Sequence, residues 1–140
     1  MVRKAVVTGI GIISSLGDNA EEVLTSLRDC KSGISYSEEY AEKGFRSHVY
    51  GMPKIDLDDA LDRKNRRFMG DGAAYNYLSM EEAIADSGLS EEQVFHERTG
   101  LIMGSGGPST RNLIQAADIA RERGPKKVGP FMVPRTMSST

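Results

Sequence analysis

The chain has one cysteine, Cys30, and only two histidines, His48 and His96, in 140 residues. A lone thiol forms no internal disulfide, no zinc box and no CxxC redox pair, so a reducing compartment fits. One cysteine and two histidines at these separations match no metal-ligand pattern, and neither a metal nor another cofactor is expected. No apolar run approaches the ~20 residues of a membrane span. Arg3 and Lys4 before the apolar stretch Ala5 to Ile13 imitate a signal peptide, but Thr8, Gly9 and Gly11 interrupt the stretch and no A-x-A cleavage site follows. The cytosol is the expected compartment. The formal net charge of −2 lacks the basic excess of nucleic-acid or anionic-membrane binders, so no partner of either kind is expected.

What remains is the composition of a soluble folded segment, with 27% charged residues and no repeat, low-complexity tract or linker. Length permits one domain-sized unit. Ala5 to Thr8 has the β-branched enrichment of a buried strand, and the glycines after it suggest a turn. Asp18 or Asn19 caps a helix that ends near Gly33, each with a glutamate three places later. Arg46 to Tyr50 reads as a short strand, and Met52 to Leu61 as a loop with at most one helical turn.

The clearest helix runs from about Asp71 to Gly88. Ala73, Tyr77, Met80 and Ile84 form one apolar face, flanked by Ala74, Leu78 and Ala85, with Ser79, Glu82 and Asp86 opposite. Ser90 and Gln93 offer a capping box for a short helix, and Leu101 to Met103 a brief strand ending in Gly104-Ser105-Gly106-Gly107. A last helix spans Thr110 to Arg123, closed by Gly124 and Pro125. Strands alternating with helices predict an α/β layered fold.

Gly9-x-Gly11-x-x-Ser14 comes close to a dinucleotide fingerprint, but no helix opens at its end and no strand with a terminal acidic residue follows between Asp29 and Tyr40. A structural turn is the better reading, with a nucleotide-binding reductase as the weaker alternative. Cys30 falls at the C-terminal end of its helix, where the dipole disfavours a thiolate, and no spacing ties either histidine to it. Two basic clusters stand out: Arg63, Lys64, Arg66 and Arg67, then Arg121, Arg123, Lys126 and Lys127. By themselves they are compatible with solvated helix faces. The glycine-rich turn at Gly104 to Gly107 fits either a phosphate cradle or a plain chain reversal.

Seven segments carry a resemblance. VRKAVVTGIGIISSLG at Val2 to Gly17, SGI at Ser32 to Ile34, RSHVYG at Arg46 to Gly51, DRKNRRFM at Asp62 to Met69, SMEEAIADSGL at Ser79 to Leu89, GLIMGSGG at Gly100 to Gly107 and VGPFMVPRTMSS at Val128 to Ser139 follow one another in family order. In these the chain resembles the β-ketoacyl-acyl carrier protein synthases of the synthase I type, the condensing enzymes of fatty-acid synthesis.

That resemblance implies the thiolase-like layered αβαβα fold, here as an incomplete N-terminal part over residues 1–140, and a homodimeric parent. It implies elongation of acyl-carrier protein with malonyl-carrier protein by decarboxylative Claisen condensation. The family's nucleophilic cysteine and two histidines have no counterpart before Thr140, so no catalytic residue is assigned and the chain alone is expected to be inactive. By motif alignment, docking of the acidic acyl carrier protein falls on Arg63, Lys64, Arg67, Arg123, Lys126 and Lys127. Lining of the acyl pocket falls on Gly106, Gly107 and Met137. The alternative is a short non-catalytic module that binds carrier protein or a second subunit.

Overall fold

The computed structural model describes residues 4–137. The elements in chain order are α1 (Ala20–Arg28), β1 (Ile34–Tyr36), α2 (Glu38–Glu42), β2 (Val49–Gly51), α3 (Leu57–Ala60), α4 (Arg63–Arg66), α5 (Asp71–Ser87), α6 (Glu91–Val94), α7 (Thr110–Arg123), a 3₁₀ turn (Pro125–Lys127) and α8 (Met132–Thr136). They gather into two compact units. One holds the residues up to Ile55 with Leu78–Val94, the other Asp56–Tyr77 with the residues from Phe95 on.

In the first unit the N-terminal segment lies along the second half of α5. The Ile10 amide donates to Asp86 Oδ2 at 2.9 Å and the Ile12 amide to Glu82 Oε2 at 2.8 Å. The other Glu82 oxygen accepts from the amide of Ala20, the first residue of α1, at 2.8 Å. One carboxylate thus satisfies a segment amide and a helix-start amide, and charge-assisted bonds of this kind contribute about 1.5–3 kcal/mol each. The polar side of α5, opposite its apolar face, is the side that receives the chain, because the partner is backbone, whose amides carboxylates suit better than aliphatic side chains do.

Gly9 and Gly11 are required for that approach. A Cβ on Gly9 would stand 2.1 Å from the carbonyl oxygen of Ala83, and one on Gly11 1.8 Å from that of Ser79. Neither glycine has a left-handed φ. The expected turn therefore lies further on, between Ser14 and Gly17, whose amides and carbonyls pair reciprocally at 2.9 and 3.3 Å. The dinucleotide reading fails on the same contacts. The space a pyrophosphate needs is filled by helix backbone, and α1 opens only at Ala20.

Asn19 caps α1, accepting from the Glu22 amide at 2.9 Å, while the Glu22 carboxylate reaches back to the Asp18 amide. This is the capping box shifted by one residue. The helix stops at Arg28, short of Gly33, through a Schellman motif: the Cys30 amide bonds the Leu27 carbonyl and the Lys31 amide the Ser26 carbonyl. Cys30 holds φ 54°, a left-handed conformation that glycine normally occupies there. Cys30→Gly is therefore expected to raise unfolding stability by about 1 kcal/mol, the cost of a side chain in that region. A denaturant midpoint that falls in this variant would contradict the assignment.

β1 and β2 pair antiparallel, Ile34 with Gly51 and Tyr36 with Val49, and α2 sits in their connection. β1 falls within a stretch whose polar, Gly/Ser-bearing composition does not suggest a strand. Ser37 caps α2 through the Tyr40 amide, and the Tyr40 ring packs on Phe45 and Tyr50. β2 covers the end of the strand expected over Arg46 to Tyr50. In the second unit α3 is the single turn expected within Met52 to Leu61, and α5 and α7 begin at Asp71 and Thr110, as their patterns predict. Ala74, fully buried, marks the packed face of the first half of α5.

The strands expected at Ala5 to Thr8 and Leu101 to Met103 form no ladder among the described residues. Val7 is 82% exposed and Ile102 94%. Composition marks both segments as strand material, but a strand exists only where a second backbone pairs with it.

Candidate functional site

The second unit carries both basic clusters, and the structure divides the first of them by role. Arg63 and Lys64 are exposed on the single turn of α4 and Arg67 at its C-cap, and no ion pair engages them among the described residues. Arg66 turns inward, its side chain only 18% exposed. Its guanidinium donates to Asp58 Oδ1 at 2.9 Å, to the Met69 carbonyl at 2.8 Å and to Asp71 Oδ1 at 2.9 Å.

Arg67 lies over two rings, 4.8 Å from the centroid of Phe68 and 5.0 Å from that of Phe131, which pack edge-to-face at 5.2 Å. This cation–π arrangement restrains a long side chain at the surface while leaving its charge accessible. It also joins the two clusters, because Phe131 follows shortly after the 3₁₀ turn that presents Lys126 and Lys127. That turn is set by Gly124, with φ 86°, and by Pro125 as its first residue. Arg123 is exposed in the last turn of α7, where a cation also complements the helix dipole, and Arg121 pairs with Asp118 at 3.1 Å. Five of the six docking residues named by motif thus stand on or beside this turn and α4, and Arg123 on the helix end leading to it.

A cavity of about 350 Å³ opens in the same unit. Gly107 and Met137 line it together, with Gly70, Asp71, Ser109 and Arg111 among the other walls. Gly106 lies outside the lining. Gly70 is buried and lets the chain close up, since a Cβ there would meet the Arg135 carbonyl at 2.9 Å and the Ser109 side chain at 3.0 Å. Gly107 has open space around its Cβ position and a φ outside the left-handed region. Its loop is tied locally, with Ser105 Oγ donating to the Gly107 carbonyl at 2.8 Å. Asp71 spans from this cavity to α4, its second oxygen accepting from Arg111 at 3.0 Å.

Among the described residues, the cysteine and the two histidines are not brought together. Cys30 is exposed and free, with no hydrogen bond to a histidine. His48 meets the Tyr36 ring edge-on at 6.0 Å, and His96 Nδ1 accepts from the Arg98 amide at 3.1 Å. No group of three His, Cys, Asp or Glu side chains suited to a metal occurs among the described residues. A second hollow, beside α1 and lined by Asn19, Glu22 and Lys31 among others, contains neither Cys30, a histidine nor a basic-cluster residue. The anchoring role of Arg66 is what motif reading misses. Its signal is the pair of carboxylates at Asp58 and Asp71, which becomes meaningful only when three elements fold together.

The fold is shared with solved ketosynthases over the part of them that the chain spans. The ishigamide ketosynthase/chain length factor superposes with a TM-score of 0.77 at 22% identity, over 94% of this chain and 33% of that one. A β-ketoacyl synthase from Burkholderia phymatum gives 0.74 at 24%, over 95% and 33%. These place the fold in the thiolase-like layered α/β class. The family model "Beta-ketoacyl synthase, N-terminal domain" matches residues 3–140, and the chain belongs to that family. It is 52% identical to 3-oxoacyl-[acyl-carrier-protein] synthase 1 of Haemophilus influenzae and 51% identical to that of Escherichia coli K12, in each case over 99% of this chain. A synthase 2 from Vibrio harveyi is 34% identical. The chain spans about a third of the length of these relatives, 34% for the first two.

Proposed function

We propose that this chain is the N-terminal part of a β-ketoacyl-acyl carrier protein synthase of the cytosol, homodimeric at full length, and that it supplies the carrier-docking surface and part of the acyl-pocket wall. In the reaction, a cysteine thiolate takes the acyl group from its carrier thioester and releases the carrier thiol. Malonyl-carrier protein then loses CO2, and the resulting enolate carbon attacks the acyl-enzyme, expelling the cysteine and leaving a 3-oxoacyl thioester. Those reacting groups belong to the remainder of the enzyme. Cys30, exposed at a helix end, is a bystander.

The observation that carries the reading is the exposed set Arg63, Lys64, Arg67, Lys126 and Lys127, joined across the Arg67 contact with Phe131 in a chain of net negative charge. Charge complementarity to an acidic carrier raises the encounter rate and fixes orientation more than it adds affinity, which suits a partner that must leave after each turnover. The test is Arg67→Glu with Lys126→Glu in the full-length enzyme. The KM for carrier-linked substrate is expected to rise and its salt dependence to flatten, while turnover of a small thioester changes little. Equal damage to both substrate forms would mark the clusters as structural.

A further inference from the structure

We infer that Arg66 is a positioning residue for carrier docking: it takes no part in the contact itself and sets the orientation of the three cations that do. The inference rests on the docking reading given above. α4 is one helical turn without a side-chain N-cap bond, and a turn of that length has little stability of its own. Its backbone bonds are local, running from Asn65 and Arg66 to the Asp62 carbonyl and from Met69 to that of Arg66. Beside the ring contacts that Arg67 and Phe68 make with Phe131, Arg66 supplies the turn's distant polar ties, one to Asp58 on α3 and one to Asp71 at the start of α5.

Charge bookkeeping separates this role from docking. Two carboxylates flank the Arg66 guanidinium, and Asp71 is shared with Arg111, so its positive charge is compensated within the protein. Arg63, Lys64 and Arg67 have no such ion pair among the described residues. The geometry also requires arginine. Nε, Nη1 and Nη2 each hold a different acceptor, a set that a planar fork spans and a single ammonium does not.

Two substitutions in the full-length enzyme give results that a purely electrostatic surface does not. Arg66→Lys keeps the charge, so an electrostatic account predicts no change in carrier affinity. Positioning predicts that KM for acyl-carrier protein rises about 10-fold relative to KM for the same acyl group on N-acetylcysteamine, because the fork is lost. Asp58→Asn removes a carboxylate that is 81% exposed and makes the patch more positive. Electrostatics alone then predicts a lower carrier KM, whereas loss of an anchor predicts a rise of roughly 2- to 5-fold, in keeping with the modest strength of an exposed pair.

A carrier KM that is unchanged in Arg66→Lys, or unchanged or lowered in Asp58→Asn, overturns the inference. Equal loss with both substrate forms in Arg66→Lys also overturns it, because Arg66 is then merely structural. Should Arg66→Lys fail to fold, Asp58→Asn decides alone by the direction of its shift. Arg67→Glu separates the two levels. If it leaves carrier KM unmoved, the docking reading fails and the inference with it; if it raises carrier KM while the other two do not, only the inference fails.

Discussion

Gly11→Val is expected to destabilise the protein by about 3–5 kcal/mol, the upper end of what single substitutions do. A Cβ at that position would stand 1.8 Å from the Ser79 carbonyl oxygen and 2.7 Å from the Ala83 amide nitrogen. Both are backbone atoms inside α5, so no rotamer change relieves the clash. The segment has to move off the helix by more than an ångström. That motion breaks the bond from the Ile12 amide to Glu82 and leaves a part-buried carboxylate without one of its donors. Because Glu82 also holds the Ala20 amide, the start of α1 loosens with it. Gly72→Ala on the same helix is the control: nothing lies within 4 Å of its Cβ position, and its expected change is under about 1 kcal/mol. Denaturant unfolding of the full-length protein measures both. A Gly11→Val variant within about 1 kcal/mol of its parent would show that the segment is not packed as described.

That clash also shows where sequence reading reaches its limit. α5 and α7 were legible because their signals are local: apolar spacing, a Gly88 with φ 66° after the first, and Gly124 with Pro125 after the second. The Gly9-x-Gly11 pair was visible but its purpose was not, since a turn and a close backbone approach ask for the same residue. Glu82 and Asp86 were placed opposite the apolar face, but their use was not visible, because helical periodicity reports side-chain polarity and says nothing of a backbone that comes to use it. The segments around Val7 and Ile102 have strand composition without a ladder, because pairing is a property of two segments and composition of one.

The basic surface divides in the same way. Four cations around α4 are plain in the sequence, but Arg66 is told apart from Arg63, Lys64 and Arg67 only by Asp58 and Asp71, which other elements bring to it. The tie from Arg67 through Phe131 to the 3₁₀ turn spans two segments more than sixty residues apart. Motif order named the residues on both sides; the cation–π contact that ties Arg67 to Phe131, just past the second cluster, is a tertiary fact.

Gly107→Ile in the full-length enzyme is expected to lower kcat/KM for long acyl primers by roughly 10- to 200-fold relative to short ones, the range for a pocket that loses space for a methylene or two. Gly107 and Met137 line one cavity, and a branched side chain at Gly107 takes volume from it. Overpacking of that kind costs ~1–3 kcal/mol against a ligand that reaches the wall and almost nothing against one that ends before it. The competing account makes Gly107 a backbone glycine whose replacement strains the loop and damages every substrate alike. The structure argues against that account. Its φ lies outside the left-handed region, no atom stands within 4 Å of its Cβ position, and the Ser105 hydroxyl bonds to its carbonyl, which any residue retains. Measuring a series of small-molecule acyl thioesters keeps carrier docking out of the result, so that only chain length varies. Loss confined to the longer members supports a wall at Gly107. Parallel loss at every length, or none at any, would remove Gly107 from the pocket.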